Sequence, residues 1–195
     1  MLRRLSAALA AALLFTFAAP AQSLATTMLV MDTDQVLNNS AVGIHIRERL
    51  AAIGEEITSE LSEEETTVRA EVESFNADSA DRTEEEIAAD EALSTRRTEV
   101  QNQVIQLGVS EQVKQRELAA TRNAALEPVH AALSEVLEEL VEERGADVLV
   151  ERSLLIYVDE ESDITQAVIE RLNEKMPSVE VERVRLPLVE EGGGG

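Results

Sequence analysis

Apolar residues recur through the first half of the chain at Ile46, Leu50, Ile53, Ile57, Leu61, Val68, Val72 and Phe75. At 100° per residue these positions fall within about 100° of arc, a single narrow stripe on a helix whose remaining surface is rich in Glu. A second stripe runs through Val100, Val104, Leu107, Leu118, Val129, Leu133, Val136 and Leu140 and closes at Gly145, a residue suited to a helix C-terminal cap. Between the stripes, Asn76, Asp78, Ser79 and Asp81 break the pattern with turn-forming side chains. Thr83 and Glu86 then carry the spacing of a capping box, which starts the second helix near Glu84. Two stripes this narrow cannot enter a globular core from several sides, and they suit a coiled-coil seam instead. The pattern predicts an antiparallel helical hairpin over residues 41–144, with its tip near residues 76–83. Helices of about 36 and 60 residues would extend roughly 55 and 90 Å.

Three details complicate this arm. Pro128 falls inside the second helix, where it removes a hydrogen bond and marks a hinge between arm and body. Glu56, Glu60 and Glu64 stand four residues apart, so like charges face one another and helicity should rise with salt. Ile105, Val109 and Val113 lie about 160° from the seam of their helix. They either pack against a neighbouring protomer, reflect a slight change of pitch, or form an exposed apolar surface for a client.

The flanks read differently. Met28, Leu29, Val30 and Met31 form a short apolar run expected as a buried strand, followed by the capping cluster Asn38, Asn39 and Ser40. Residues 146–150 and 154–158, rich in Val, Leu and Ile, predict two further strands. Asp163 and Gln166 open a short helix with the apolar face Ile164, Val168, Ile169, Leu172 and Met176, and Pro177 stops it. Residues 178–195, with Glu190, Glu191 and four terminal glycines, are expected to be a flexible acidic tail. Residues 27–40 and 145–177 thus form one small β-rich body interrupted by the arm. Fewer than about 70 residues is marginal for an independent core, and three short strands leave open edges. Assembly with further copies would relieve both.

Charge and composition narrow the function. The chain has 195 residues, with 39 acidic and 17 basic side chains and a net charge of −22. Phosphate binding needs concentrated Lys and Arg, so nucleic acid is excluded as a partner, and anionic membranes are disfavoured. The absence of cysteine removes disulfides, thiolate zinc sites and thiol nucleophiles. Residues 1–21 read as a cleaved secretory signal peptide: Arg3 and Arg4, an apolar run, then Ala19-Pro20-Ala21. The run falls short of the roughly 20 residues that span a bilayer, so no stable membrane insertion is expected after cleavage. Phe15 and Phe17 leave with it, and the mature chain keeps only Phe75 and Tyr157 as aromatics.

The leading strand running into Gln35, Val36 and Leu37, the tip Asp81-Arg82-Thr83, and the block formed by Ala146–Val150, Leu155–Val158, Asp163-Ile164-Thr165 and Val168–Asn173 resemble the Skp/OmpH family of periplasmic chaperones. The resemblance implies an α+β, mostly α fold in which a long antiparallel coiled-coil hairpin is inserted between short strands of a small β body. It implies a homotrimer of jellyfish-like outline, with Met28, Val30, Val148, Val150, Leu155 and Tyr157 in the trimer body. It also implies a periplasmic holdase that keeps unfolded outer-membrane proteins from aggregating, without ATP. The acidic runs Glu63-Glu64-Glu65 and Glu84-Glu85-Glu86 depart from the basic arms of familiar members, so no lipopolysaccharide site is carried over.

Other chemistry finds little support. His45 and His130 would be offset by roughly 25 Å in a straight hairpin, too far to share a metal. Carboxylates abound, but nothing in the pattern supplies a pocket to tune them, so no catalytic residue and no cofactor is assigned. The competing reading of the same features is a periplasmic coiled-coil spacer or an adaptor of an envelope assembly complex.

Overall fold

The computed structural model describes residues 26–188; the expected signal peptide and the glycine-rich end lie outside the described residues. Strand β1 (Met28–Met31) leads into helix α1 (Thr33–Asn39), where Asp32 caps the first turn by accepting from the Gln35 backbone N–H at 2.8 Å. Ser40 then caps the long helix α2 (Ala41–Ser79), its hydroxyl accepting from Gly43 N–H. The corner is tight: a Cβ on Gly43 would sit 1.7 Å from the Leu37 carbonyl oxygen, so only glycine fits there. The capping cluster was legible in the sequence; the separate helix α1 was not.

At the far end, α2 continues through Asn76 and Ser79, further than its turn-forming residues predicted. Asn and Asp tolerate exposed helix ends at a cost of a few tenths of a kcal/mol each, too little to stop a helix already under way. The capping box at Thr83 and Glu86 forms as expected, but the helix it starts, α3 (Glu84–Ala89), is short. Asp90 breaks the chain and caps a new helix, α4 (Glu91–Arg144), accepting from Ala92 and Leu93 N–H. Helix α4 runs through Pro128 as one element and ends at Gly145, whose φ of 58° is the left-handed conformation expected of a glycine cap. At 1.5 Å rise the 39 residues of α2 and 54 of α4 span about 58 and 81 Å.

The chain returns as strand β2 (Val148–Glu151), parallel to β1, pairing Met28 with Val148 and Val30 with Val150. The arm is therefore the crossover of a parallel pair. Residues 154–158 form no strand, contrary to the sequence reading; a single 3-10 turn, Arg152–Leu154, precedes an irregular stretch. The edge beyond β1 is occupied instead by Ser162 and Ile164, whose backbone groups bracket Val30 through bonds of 2.8 and 2.9 Å. Both neighbours of β1 are thus taken, and among the described residues the 154–158 run does not pair with the remaining edge of the sheet, that of β2. Helix α5 (Thr165–Lys175) closes the body; Asp163 accepts from Thr165 N–H just before its start rather than serving as the cap itself.

The core is concentrated where body and arm meet. Val30, Val36, Val42, Val129, Val136, Leu140, Ile164, Val168 and Leu172 are essentially inaccessible to solvent. Asn173 of α5 accepts from Ala41 N–H at 2.6 Å, tying the root of α2 to the last helix. Residues 178–188 do not behave as the free tail expected from their composition. They turn back from α5 onto the hairpin, burying Val181 against the core.

Candidate functional site

Two regions carry chemistry or surface that the core does not use. The first is the open side of the body. Leu154 is 76% exposed, Tyr157 82% and Ile156 fully so. Met28 and Val148, paired in register at the start of the sheet, are each about two-fifths exposed. Of the residues assigned to the trimer body, Val30 is buried within its own chain, while Val150 and Leu155 are half-buried. Exposed apolar side chains clustered on one small body mark a surface suited to contact.

The second region is halfway along the arm. The buried positions of α4 proceed from Leu140 through Val136, Leu133, Val129 and Ala125 as apolar residues, then continue as Thr121, Glu117, Lys114 and Ser110. Apolar periodicity alone follows Leu118, Leu107 and Val104 instead, which are half-buried or, for Val104, exposed. The true seam turns polar, and a search for hydrophobic residues cannot trace it.

Those polar positions form one connected cluster. The Arg183 guanidinium, in the returning segment, makes a two-pronged contact with Glu60 of α2 at 2.9 and 3.0 Å. Its Nε and Nη2 also donate to Glu117 Oε2 of α4, at 3.0 and 2.7 Å. Lys114 joins from α4, its Nζ 2.8 Å from Glu60 and 2.9 Å from Glu64. The returning backbone is held as well: Val184 N–H donates to the Thr121 hydroxyl and Leu186 N–H to Glu117 Oε1, both at 2.9 Å. Arg183 and Glu117 side chains are 7% and 6% exposed, so this pair is desolvated rather than a surface contact.

The charges respond accordingly. Hydrogen bonds from Arg183, then Lys114, draw the Glu60 carboxyl down to about 2. Burial pushes Glu117 upward, but the Leu186 N–H and the Arg183 guanidinium outweigh it and leave it lowered. Burial pushes Lys114 down, and its two Glu partners more than reverse that, so it is raised. The like-charge repulsion read from Glu56, Glu60 and Glu64 is thus corrected: Glu60 and Glu64 are counter-charged from across the hairpin. Salt should weaken, not strengthen, this part of the arm.

The remaining sequence-derived residues are scattered. Ile105 is 60% exposed and Val109 half-buried, but Val113 is 2% exposed, lying one turn from Glu117 in the polar seam. It cannot belong to a free client surface as the sequence reading had it. At the tip Thr83 serves as helix cap, Arg82 reaches Asp90 at 3.3 Å, and Asp81 is exposed in the turn. His45 is half-buried near the root of α2, and His130 is exposed on α4. No helix among the described residues is long and apolar enough to cross a membrane.

Comparison with known proteins agrees with this architecture. The sequence profile of the family described as outer membrane protein (OmpH-like) matches residues 27–172. No match was found among curated proteins. Among solved structures, a crystal structure of a protein described as an OmpH-like outer membrane chaperone from Caulobacter crescentus CB15 superposes with a TM-score of 0.71 at 22% identity. The match covers 83% of this chain and 92% of that one, and shows a shared fold.

Proposed function

The chain belongs to the OmpH-like outer membrane protein family, and from that premise we propose that it is an ATP-independent holdase chaperone of the periplasm. Its clients are unfolded outer-membrane proteins, enclosed between helical arms until they reach their membrane. The observation that carries this reading is the exposed apolar run Leu154, Ile156 and Tyr157 beside a two-stranded sheet, at the root of a long hairpin. Three copies joined through those runs would complete a small barrel and set three arms around a cavity. A holdase without nucleotide works by mass action, favouring unfolded over folded chains. The reading assigns no catalytic role and no cofactor. Ile105 and Val109 are its proposed client contacts, and Pro128 its pivot between arm and body.

Diluting a denatured β-barrel protein into buffer with one trimer per client should abolish the rise in light scattering, without ATP. Scattering that rises unchanged would refute the proposal. Selective capture of one folded envelope protein, with unfolded chains ignored, would favour the spacer or adaptor instead.

A further inference from the structure

The segment that returns across the arm lies beyond residue 172, outside the region matched to the family. Its burial alternates from half-buried Val179 through exposed Glu180, buried Val181 and exposed Glu182 to inward Arg183, and resumes after a one-residue slip as half-buried Val184, exposed Arg185 and half-buried Leu186. That period of two belongs to an extended chain. The two backbone N–H groups that α4 receives belong to Val184 and Leu186, two residues apart, and their acceptors on Thr121 and Glu117 are four residues apart. Two extended residues advance about 6.6 Å, and one helical turn of four residues about 6.0 Å. The two repeats are commensurate. A helix that presents acceptors one turn apart therefore meets alternate N–H groups of an extended polypeptide lying antiparallel to it. Backbone donors are common to nearly every sequence, so this mode of holding is tolerant of side chains, and the Glu60 and Glu117 carboxylates add a preference for an Arg one residue before the first N–H.

The surface also continues past the point where the described segment stops. An open groove of about 740 Å³ between α2 and α4 is lined by Val68, Leu107, Ser110, Lys114, Arg185 and Leu188. We propose that this face of the arm is a binding site for extended, arginine-containing polypeptide, occupied in cis by residues 179–188 as a resident pseudo-client. The proposal deepens the chaperone reading and rests on it only for the natural occupant, an unfolded chain. A tethered segment competes at an effective concentration in the millimolar range. A single short peptide therefore displaces it poorly, whereas a long unfolded chain bound at several arms can.

The test uses the full processed chain and a fluorescent peptide of its own residues 179–188. Arg183→Ala in the protein, which loosens the strap and leaves the hairpin side chains intact, should tighten peptide binding at least tenfold over wild type in anisotropy titrations. A peptide carrying Arg183→Glu should bind the variant at least tenfold more weakly. Leu186→Pro, which removes one donating N–H from the strap, should reproduce the first effect. Equal affinity of wild type and both variants, or no binding by any, overturns the proposal. So does loss of arm helicity in both variants, which would make the strap a structural part of the hairpin. Suppressed client aggregation without peptide binding would remove this site and leave the holdase standing; peptide binding without suppression would do the reverse.

Discussion

The root of the arm and its outer half are built from the same two helices, yet different forces hold them. Near the body, Ile46, Ile53 and Ile57 of α2 are buried, as are Val129, Leu133, Val136 and Leu140 of α4; α1 packs on α2, α5 on α4, and Val181 joins the same cluster. Beyond Ile57, α2 has no buried residue; Leu61, Val68, Val72 and Phe75 are only half covered. Between these zones lies the polar cluster, strapped by Arg183. Hydrophobic burial is insensitive to pH and salt over ordinary ranges, a charge cluster is sensitive to both, and a thin seam resists neither bending nor local opening. A graded arm of this kind can open from its tip while its root stays folded.

The comparison is broken most directly by truncating one apolar side chain in each zone. Leu172→Ala, at a site with no exposure, should cost about 2–5 kcal/mol in denaturant unfolding. Gly43→Ala should cost at least about 1–3 kcal/mol, because the Leu37 carbonyl cannot yield 1.7 Å without moving α1. Phe75→Ala, in the half-covered seam, should cost about 1 kcal/mol or less, near the cost of removing an exposed contact. Equal losses at Leu172 and Phe75 would erase the distinction between root and outer arm.

Acid sharpens the contrast in the middle zone. Glu60 is drawn below its ordinary value of 4.5 to about 2 by Arg183 and Lys114, and Glu117 is lowered too. A carboxyl lowered on folding contributes stability that is complete above its unfolded value and fades as pH falls through the folded one. The strap should therefore loosen between about pH 4.5 and 2 while the apolar root holds. The chain has no cysteine, so spin labels at Glu182→Cys and Gln115→Cys report it cleanly. A short, narrow distance at pH 7 should broaden and lengthen at pH 3; an unchanged distribution would deny the cluster its role.

Smaller effects belong to the pivot and the tip. Pro128→Ala restores a helical hydrogen bond and should narrow the spread of distances between labels on the arm and the body, by a few ångström if α4 bends there. Thr83→Ala should cost about 1 kcal/mol of local stability at the tip and leave global unfolding unchanged.

Much of this was legible before any coordinates. The stripe on α2, the ends of the stripe on α4 (Val100, and Val129 to Leu140), the capping box at Thr83 and Glu86, the glycine cap at Gly145 and the leading strand all follow from local periodicity and cap chemistry, which depend on residues close in sequence. What escaped depends on contacts far apart. Arg183 meets Glu60 across 123 residues, and no local pattern announces that Glu117 and Lys114 face inward. The strand expected at residues 154–158 failed for a related reason: β-propensity says that a segment would accept a partner, not that its own chain provides one. Val113 was misplaced because its helix was assumed to keep an apolar seam throughout.

The same unpaired segment decides the central claim, that copies of the chain complete one another's bodies. The mass of the processed chain in solution, measured by light scattering during size-exclusion chromatography, tests it most directly. A single species at three times the chain mass is the predicted result, and a Tyr157→Asp variant should fall apart toward one. A folded monomer with Ile156 and Tyr157 still open to solvent would contradict the account.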